Sequence, residues 1–209
     1  MADNREKTVG QEKAEKIMAL DEKRLIKILK SSKSTPFARA KACQRLAVIG
    51  TKQAVSALSA LLADPKFGHY ARFALEPIPD ASVDDTLRRA LGQLKGRLLV
   101  GVINSIAQRR DLKAAEPLAR LLDDPDAEVA AAAAAALGRI ATPESAEELA
   151  KVLDYTKSVA GSCLECAERL LSQGAREPAL ALYEALLSRS DLPESVRTMA
   201  ASGRETARS

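Results

Sequence analysis

Six segments of twelve residues repeat one pattern along this chain, and this repetition constrains the fold more than any other feature. The spacings between successive segment starts are 33, 29, 31, 31 and 34 residues. The fifth, eighth and ninth positions of each segment are apolar or aromatic. Such a period predicts an array of similar units. The segments align without gaps and begin at Asp21, Ala54, Val83, Ala114, Ser145 and Ala179.

A second apolar pattern precedes the later segments. Counting back eight, twelve and sixteen residues from a segment start gives three further columns of mostly apolar residues. Spacings of four place these columns on one face of a helix, and small side chains in the middle column allow close helix approach. Each unit is therefore predicted to be two helices, with the repeated segment as helix A followed by helix B. The middle column consists of Ala42, Ala71, Val102, Ala133 and Ala167.

Residues that begin and end helices lie between these patterns. Asp64-Pro65 and the segment 123–126 separate A from B helices, where Asp caps the next helix and Pro suits its first turn. Gly50 and Gly174 follow B helices, as expected at helix ends. Two prolines after Leu75 require the second B helix to end there.

The pattern and the composition together predict the fold class. The chain has no Trp, three Phe and three Tyr, and it is rich in Ala and Leu, which favours helices over sheets. A pair of amphipathic helices cannot bury its apolar face alone, so the units must stack. We predict an all-α protein, an α-solenoid (superhelix) of about six stacked two-helix repeats over residues 21–209. Residues 1–20 are predicted to be a charged N-terminal segment, helical or partly disordered.

Residues 114–145 resemble a HEAT repeat, specifically the short form of about thirty residues first noted in phycobilin-lyase subunits. The matching features are the Asp-Pro-Asp turn at 124–126, Val129, the alanine run and Leu137 to Ile140. Residues 69–111 also resemble bacterial HEAT-repeat proteins of undefined activity. The resemblance implies a HEAT-like solenoid used as an interaction surface. It also implies an Arg that bonds to an Asp in the turn, and only Arg39 occupies that position.

The charge distribution limits the kinds of partner, and the cysteines indicate the cellular compartment. The net charge is +7 over residues 1–60, +3 over 61–110 and −6 over 111–209. Three cysteines do not form a paired disulfide framework, which indicates a reducing, cytoplasmic location. The first twenty residues lack the apolar run of a signal peptide, and no segment has the apolar length of a membrane span. We therefore expect no membrane association.

The residues needed for catalysis are scarce, so we expect no enzyme activity, no cofactor and no metal. His69 is the only histidine, which excludes a His-rich metal centre, and Gly-rich phosphate loops are absent. Cys163 and Cys166 form a CxxC pair inside a predicted B helix, where a thiolate is not stabilised. We interpret this pair as part of the core.

The exposed side of the B helices is the candidate binding surface, because it usually lines the concave face of such solenoids. Aromatic residues supply rigid contact area and Arg supplies directional hydrogen bonds. An alternative is that the aromatic pair fills the space beneath the proline-containing turn, while arginines near a helix C-terminus complement its dipole. The candidate residues are Tyr70, Phe73, Asn104, Gln108, Arg109 and Arg139.

Three functions are compatible with these features. The leading hypothesis is a non-enzymatic scaffold whose partner is another protein or a peptide. A second is nucleic-acid binding through the basic N-terminal half, which the acidic C-terminal half disfavours. A third is a lyase-like site for a chromophore or sugar near Tyr70 and Arg109. The polar C-terminal segment 193–207 is predicted to be a helix that caps the array and keeps the protein monomeric.

Overall fold

The computed structural model describes residues 11–209, except for the side chain of Tyr155. Over these residues the regular secondary structure is helical and no strand occurs. The chain divides into two compact units, which meet in sequence at Ala90 and Leu91. We call them unit 1 and unit 2 and describe each by itself.

Unit 1 contains two layers of helices. The B helix α3 packs against the A helix α2 and the next B helix α5, and the A helix α4 packs against α2 and α5. The last residue of α6 belongs to unit 2. The helices are α1 (11–18), α2 (Glu22–Lys30), α3 (Pro36–Ile49), α4 (Lys52–Ser59), α5 (Gly68–Leu75) and α6 (Ala81–Leu91).

Unit 2 repeats this arrangement. Its B helices α7, α9, α11 and α13 pack in succession, and its A helices α8, α10 and α12 form the second layer. The predicted all-α solenoid of two-helix repeats is therefore confirmed. A short 3₁₀ helix, Leu112–Ala114, leads into α8. The helices are α7 (Gly96–Arg109), α8 (Ala115–Ala119), α9 (Ala127–Ile140), α10 (Pro143–Tyr155), α11 (Ala160–Ser172), α12 (Arg176–Ser188) and α13 (Glu194–Arg208).

Short polar side chains cap the first turn of several of these helices. In each case the side-chain oxygen accepts a hydrogen bond from a backbone N–H two or three residues later, at 2.8 to 3.3 Å. These bonds satisfy donors that have no partner within the helix. The capping residues are Asp21, Thr35, Thr51, Asp126 and Thr142.

The predicted columns form the core. All five residues of the small middle column are fully buried, and Leu61 and Leu153 of the A segments are buried as well. Leu121 is half-buried. The helices α9 and α11 also approach each other closely at a small residue outside this column: a Cβ added to Gly138 of α9 would lie 2.8 Å from the backbone oxygen of Ser162 in α11.

The A helices α4 and α8 are shorter than the twelve-residue pattern predicts. Beyond each helix, the N–H groups of Leu61 and Leu121 donate to the carbonyl oxygens of Leu58 and Leu118, three residues earlier, at 2.9 Å in both cases. Such i to i−3 bonds tighten the last turn and rotate the following side chains. The next residue in each turn, Leu62 and Leu122, is buried by this route although it lies outside a regular helix.

Three sequence predictions concern the N-terminal segment, the turn before α3 and membrane association. Residues 1–10 of the predicted N-terminal segment lie outside the described residues, and 11–18 are helical. The Arg39 side chain bonds to a backbone group of the turn between α2 and α3. Its Nη2 donates to the carbonyl oxygen of Ser31 at 2.9 Å, rather than to an Asp. Within residues 11–209, every helix is too short or too polar to cross a bilayer.

Candidate functional site

The helix α5 presents an aromatic cluster at the surface of unit 1. Phe73 is 57% exposed, Tyr70 is half-buried and His69 is exposed. The ring centroid of Tyr70 lies 4.0 Å from that of His69 and 6.5 Å from that of the buried Phe67. Tyr70 therefore links the exposed aromatic surface to the core.

A shallow depression of about 420 Å³ lies beside this cluster. Aromatic side chains line it together with one guanidinium group and one carboxylate group. Burial lowers the pKa of the Arg72 guanidinium, and the nearby Glu76 carboxylate partly opposes that shift. The depression thus offers apolar contact area and charged hydrogen-bonding groups together. It is lined by Gln44, His69, Tyr70, Arg72, Phe73 and Glu76.

A stripe on α3 continues this surface. Phe37 is 43% exposed and Val48 is 72% exposed, and Gln44, between them, also lines the depression. Lys41 Nζ donates to Gln44 Oε1 at 2.9 Å and lies 5.9 Å from the centroid of the Phe37 ring. We call Phe37, Lys41, Gln44 and Val48 the α3 stripe.

Sequence reasoning missed part of this stripe. It predicted an exposed side of the B helices but did not single out Phe37 or Lys41. Their spacing contained the signal, because residues at i, i+4, i+7 and i+11 share one helix face. An apolar residue at two of those positions, on the face opposite the buried Ala42 and Leu46, indicates an exposed apolar surface.

The proline-containing turn after α5 buries one of its own residues. Ile78 is 1% exposed, and its Cδ1 lies 3.3 Å from the position of a Cβ added to Gly50. Phe73 is exposed, so its interpretation as a filler beneath this turn is wrong. For Tyr70 that interpretation stays a prediction.

The other four predicted site residues lie in unit 2. Asn104 and Gln108 are exposed on α7. Arg139 occupies the repeat position of Gln108 on the next B helix, α9, and is also exposed. The helices α7 and α9 pack against each other. Arg109 is half-buried and ends α7, where a cation complements the helix dipole. Tyr70 belongs to unit 1 and Arg109 to unit 2. The role of these residues in binding stays a prediction.

A second groove of about 660 Å³ lies in unit 2, beside α8 and α10. Leu112, at 61% exposure, lies at its edge, and carboxylates surround it. Lys151 Nζ lies 2.9 Å from a carboxylate oxygen of both Glu147 and Glu148, so one positive charge is shared between two of these carboxylates. Sequence reasoning did not identify this groove because it lies beside A helices.

The cysteines lie in the core. Burial raises the pKa of Cys43, Cys163 and Cys166 to about 12, so each is a neutral thiol near pH 7. Cys163 Sγ donates to the carbonyl oxygen of Leu149 at 3.7 Å. A neutral, buried thiol is a poor nucleophile and metal ligand. Among residues 11–209, no group of three His, Cys, Asp or Glu side chains has the arrangement to hold a metal ion.

Comparisons with known proteins agree with this architecture. The family model described as HEAT repeats matches residues 85–168. The crystal structure of an engineered protein is similar, with a TM-score of 0.54 and 21% identity, over 90% of this chain and 58% of that one. Human deoxyhypusine hydroxylase in complex with glycerol gives a TM-score of 0.44 and 21% identity over 88% of this chain and 72% of its own. No curated protein matches the chain.

These results agree with the helical repeat fold, and the HEAT-repeat match covers residues 85–168, which include the segment 114–145 that was predicted to be such a repeat. The short phycobilin-lyase form stays a prediction. The chain spans less than two thirds of the length of the engineered protein, and a likeness at 21% identity shows the fold alone.

Proposed function

We propose that this chain is a binding module for another protein or a peptide, and that it binds through the exposed face of its B helices. The observation that carries this proposal is the exposure of Phe73, at 57%, beside a depression with polar groups. Large aromatic side chains that stay exposed next to charged groups are typical of protein-binding sites. HEAT-type arrays generally present such helix faces to their partners.

The chemistry of the site supports binding without catalysis. The only histidine, His69, lies at the rim of the depression, and the three thiols are neutral and buried. A general base or nucleophile requires a group that titrates near neutral pH and a second group that orients it. We therefore propose a non-enzymatic role.

Affinity capture with matched variants tests the proposal. The tagged wild-type chain, the Tyr70→Ala/Phe73→Ala variant and the Asn104→Ala/Gln108→Ala/Arg139→Ala variant are incubated with an extract of the source cells, and bound proteins are quantified. Met199→Ala, which removes an exposed apolar side chain from α13, is the control. We expect at least one protein to be recovered by the wild type and the control but lost with the first variant.

The second variant tests whether unit 2 takes part in binding. If recovery falls with both variants, each unit contributes residues that bind partners. If recovery falls only with the first, binding is confined to unit 1. Equal recovery by all four proteins contradicts the proposed function.

A further inference from the structure

We propose that the surface formed by the α3 stripe and the α5 cluster binds an acidic peptide segment that carries apolar side chains. This inference rests on the proposed function and deepens it, because it names the chemical class of the partner. Two observations carry it: an excess of positive charge around the surface and the exposure of apolar side chains on both helices.

The charge around this surface is mainly positive. The helix α3 carries Arg39, Lys41 and Arg45 and has no acidic residue. Over residues 31–76 there are seven Lys and Arg and two acidic residues, Asp64 and Glu76, of which Glu76 lines the depression. The carboxylate of Asp64 is occupied by the turn, since it accepts from the N–H groups of Lys66 and Phe67 at 2.7 and 3.2 Å.

These cations are held close to the surface. Lys41 belongs to the α3 stripe, where it bonds to Gln44 and lies near the Phe37 ring, and Arg72 lines the depression together with Glu76. A positive field of this kind attracts acidic segments and suppresses binding of basic ones. Charge complementarity therefore selects an acidic partner.

The apolar groups distinguish a peptide from a nucleic acid. Of the five large apolar side chains that are exposed over residues 11–209, three lie on α3 and α5: Phe37, Val48 and Phe73. A phosphate backbone makes no use of exposed aliphatic groups such as Val48, and its affinity depends mainly on the number of cations. Apolar side chains on a peptide bury this surface and gain free energy from doing so.

The dimensions suit a short segment. Phe37 and Val48 are eleven residues apart on α3, which corresponds to about 16 Å along the helix axis. About five extended residues or three helical turns cover that length. The segment places one apolar side chain toward Phe73 and others along the α3 stripe, with its carboxylates toward Lys41 and Arg72.

Selection from a random peptide library tests this inference. The purified chain is used to select displayed peptides, and the enriched peptides are synthesised and titrated by fluorescence polarisation. We expect the enriched peptides to carry net negative charge and apolar residues. Lys41→Glu and Phe73→Ala should each weaken their binding about tenfold. Lys16→Glu, which makes the same charge change on α1, should leave it within about twofold.

The outcomes separate this inference from the proposed function. If binding depends on Phe73 but enriched peptides have no acidic preference and Lys41→Glu has no effect, the surface binds peptides but the acidic class is wrong. If no peptide is enriched, or Phe73→Ala leaves binding unchanged, this inference fails, whereas the proposed function is decided by the affinity capture. A short DNA duplex is titrated in parallel, and tighter binding to the duplex than to the peptides overturns the inference in favour of nucleic acid.

Discussion

Gly203 of α13 lies against the buried ring of Tyr183 of α12, so closely that an added Cβ would come within 2.3 Å of Cζ and 2.6 Å of the hydroxyl oxygen. Tyr183 is 1% exposed and occupies a repeat column that is Leu in the five earlier A segments. The larger ring is accommodated because the helix opposite has no side chain at this point. The two residues therefore form one packing unit.

Gly203→Ala is expected to destabilise the protein by about 1–3 kcal/mol, because the surrounding core holds the ring in place. The better helix propensity of Ala offsets about 1 kcal/mol of this cost at most. Chemical denaturation measures the change. Gly161→Ala is the control: it lies in α11, and its added Cβ meets open space, so we expect unchanged or slightly raised stability. In a Tyr183→Leu background, Gly203→Ala should cost less; an equal cost would show that the ring is not the obstacle.

Ala133→Leu is expected to destabilise the protein by about 1–3 kcal/mol, since Ala133 is fully buried on α9 and extra methylene groups overfill a packed core. Ala131 lies two residues earlier in the same helix and is exposed. Ala131→Leu should therefore change stability by less than about 0.5 kcal/mol, because Ala and Leu have similar helix propensities. Thermal unfolding followed by circular dichroism compares the two variants. Equal effects would contradict close packing at the middle column.

The buried thiols predict a loss of stability at high pH. Their folded pKa is raised from 9.0 to about 12, so between these values the unfolded state loses protons that the folded state keeps. The free energy of unfolding then falls as pH rises, by about 1.4 kcal/mol per pH unit for each thiol. We expect Cys163→Ala to show a shallower decrease between pH 8 and pH 11 than the wild type. An equally steep fall of the free energy of unfolding in both proteins would contradict a raised pKa of the buried Cys163 thiol.

Glu22→Gln is expected to cost about 1 kcal/mol, because Glu22 on α2 completes the cap of α4. Its Oε1 accepts from the backbone N–H of Thr51 at 2.6 Å, and Oε2 accepts from the Thr51 hydroxyl at 2.9 Å. The amide that replaces the carboxylate weakens both bonds. Glu15→Gln, at an exposed position of α1, is the matched control and should be neutral within about 0.5 kcal/mol. Urea denaturation distinguishes the two.

The sequence predicted the two-helix repeats because burial acts on every turn of both helices. The columns that contain Ala133 and Leu153 are buried as expected, and α5 ends at Leu75 before the prolines. The lengths of α4 and α8 were not predicted, because a leucine at the end of a pattern is buried equally well from a helix or from a 3₁₀ turn. Periodicity alone does not separate these two geometries.

The candidate site was predicted less completely than the fold. Tyr70 and Phe73 stood out because aromatic residues are rare in this chain. Phe37 was not recognised, although its spacing from Val48 places both on one face of α3, opposite the predicted column that contains Ala42. The spacing indicates the shared face, whereas the degree of exposure depends on how α2 and α5 pack against α3.

Helices that contact each other in unit 2 are near neighbours along the chain: α11 touches α9, α10, α12 and α13. Closing the short loops between them costs little conformational entropy, so a hairpin can assemble next to any hairpin that is already formed. The same locality bears on how such a chain changes in length. Duplicating or deleting one whole hairpin alters a single pair of interfaces and leaves the remaining ones intact, whereas removing half a hairpin exposes apolar surface on both sides of the cut.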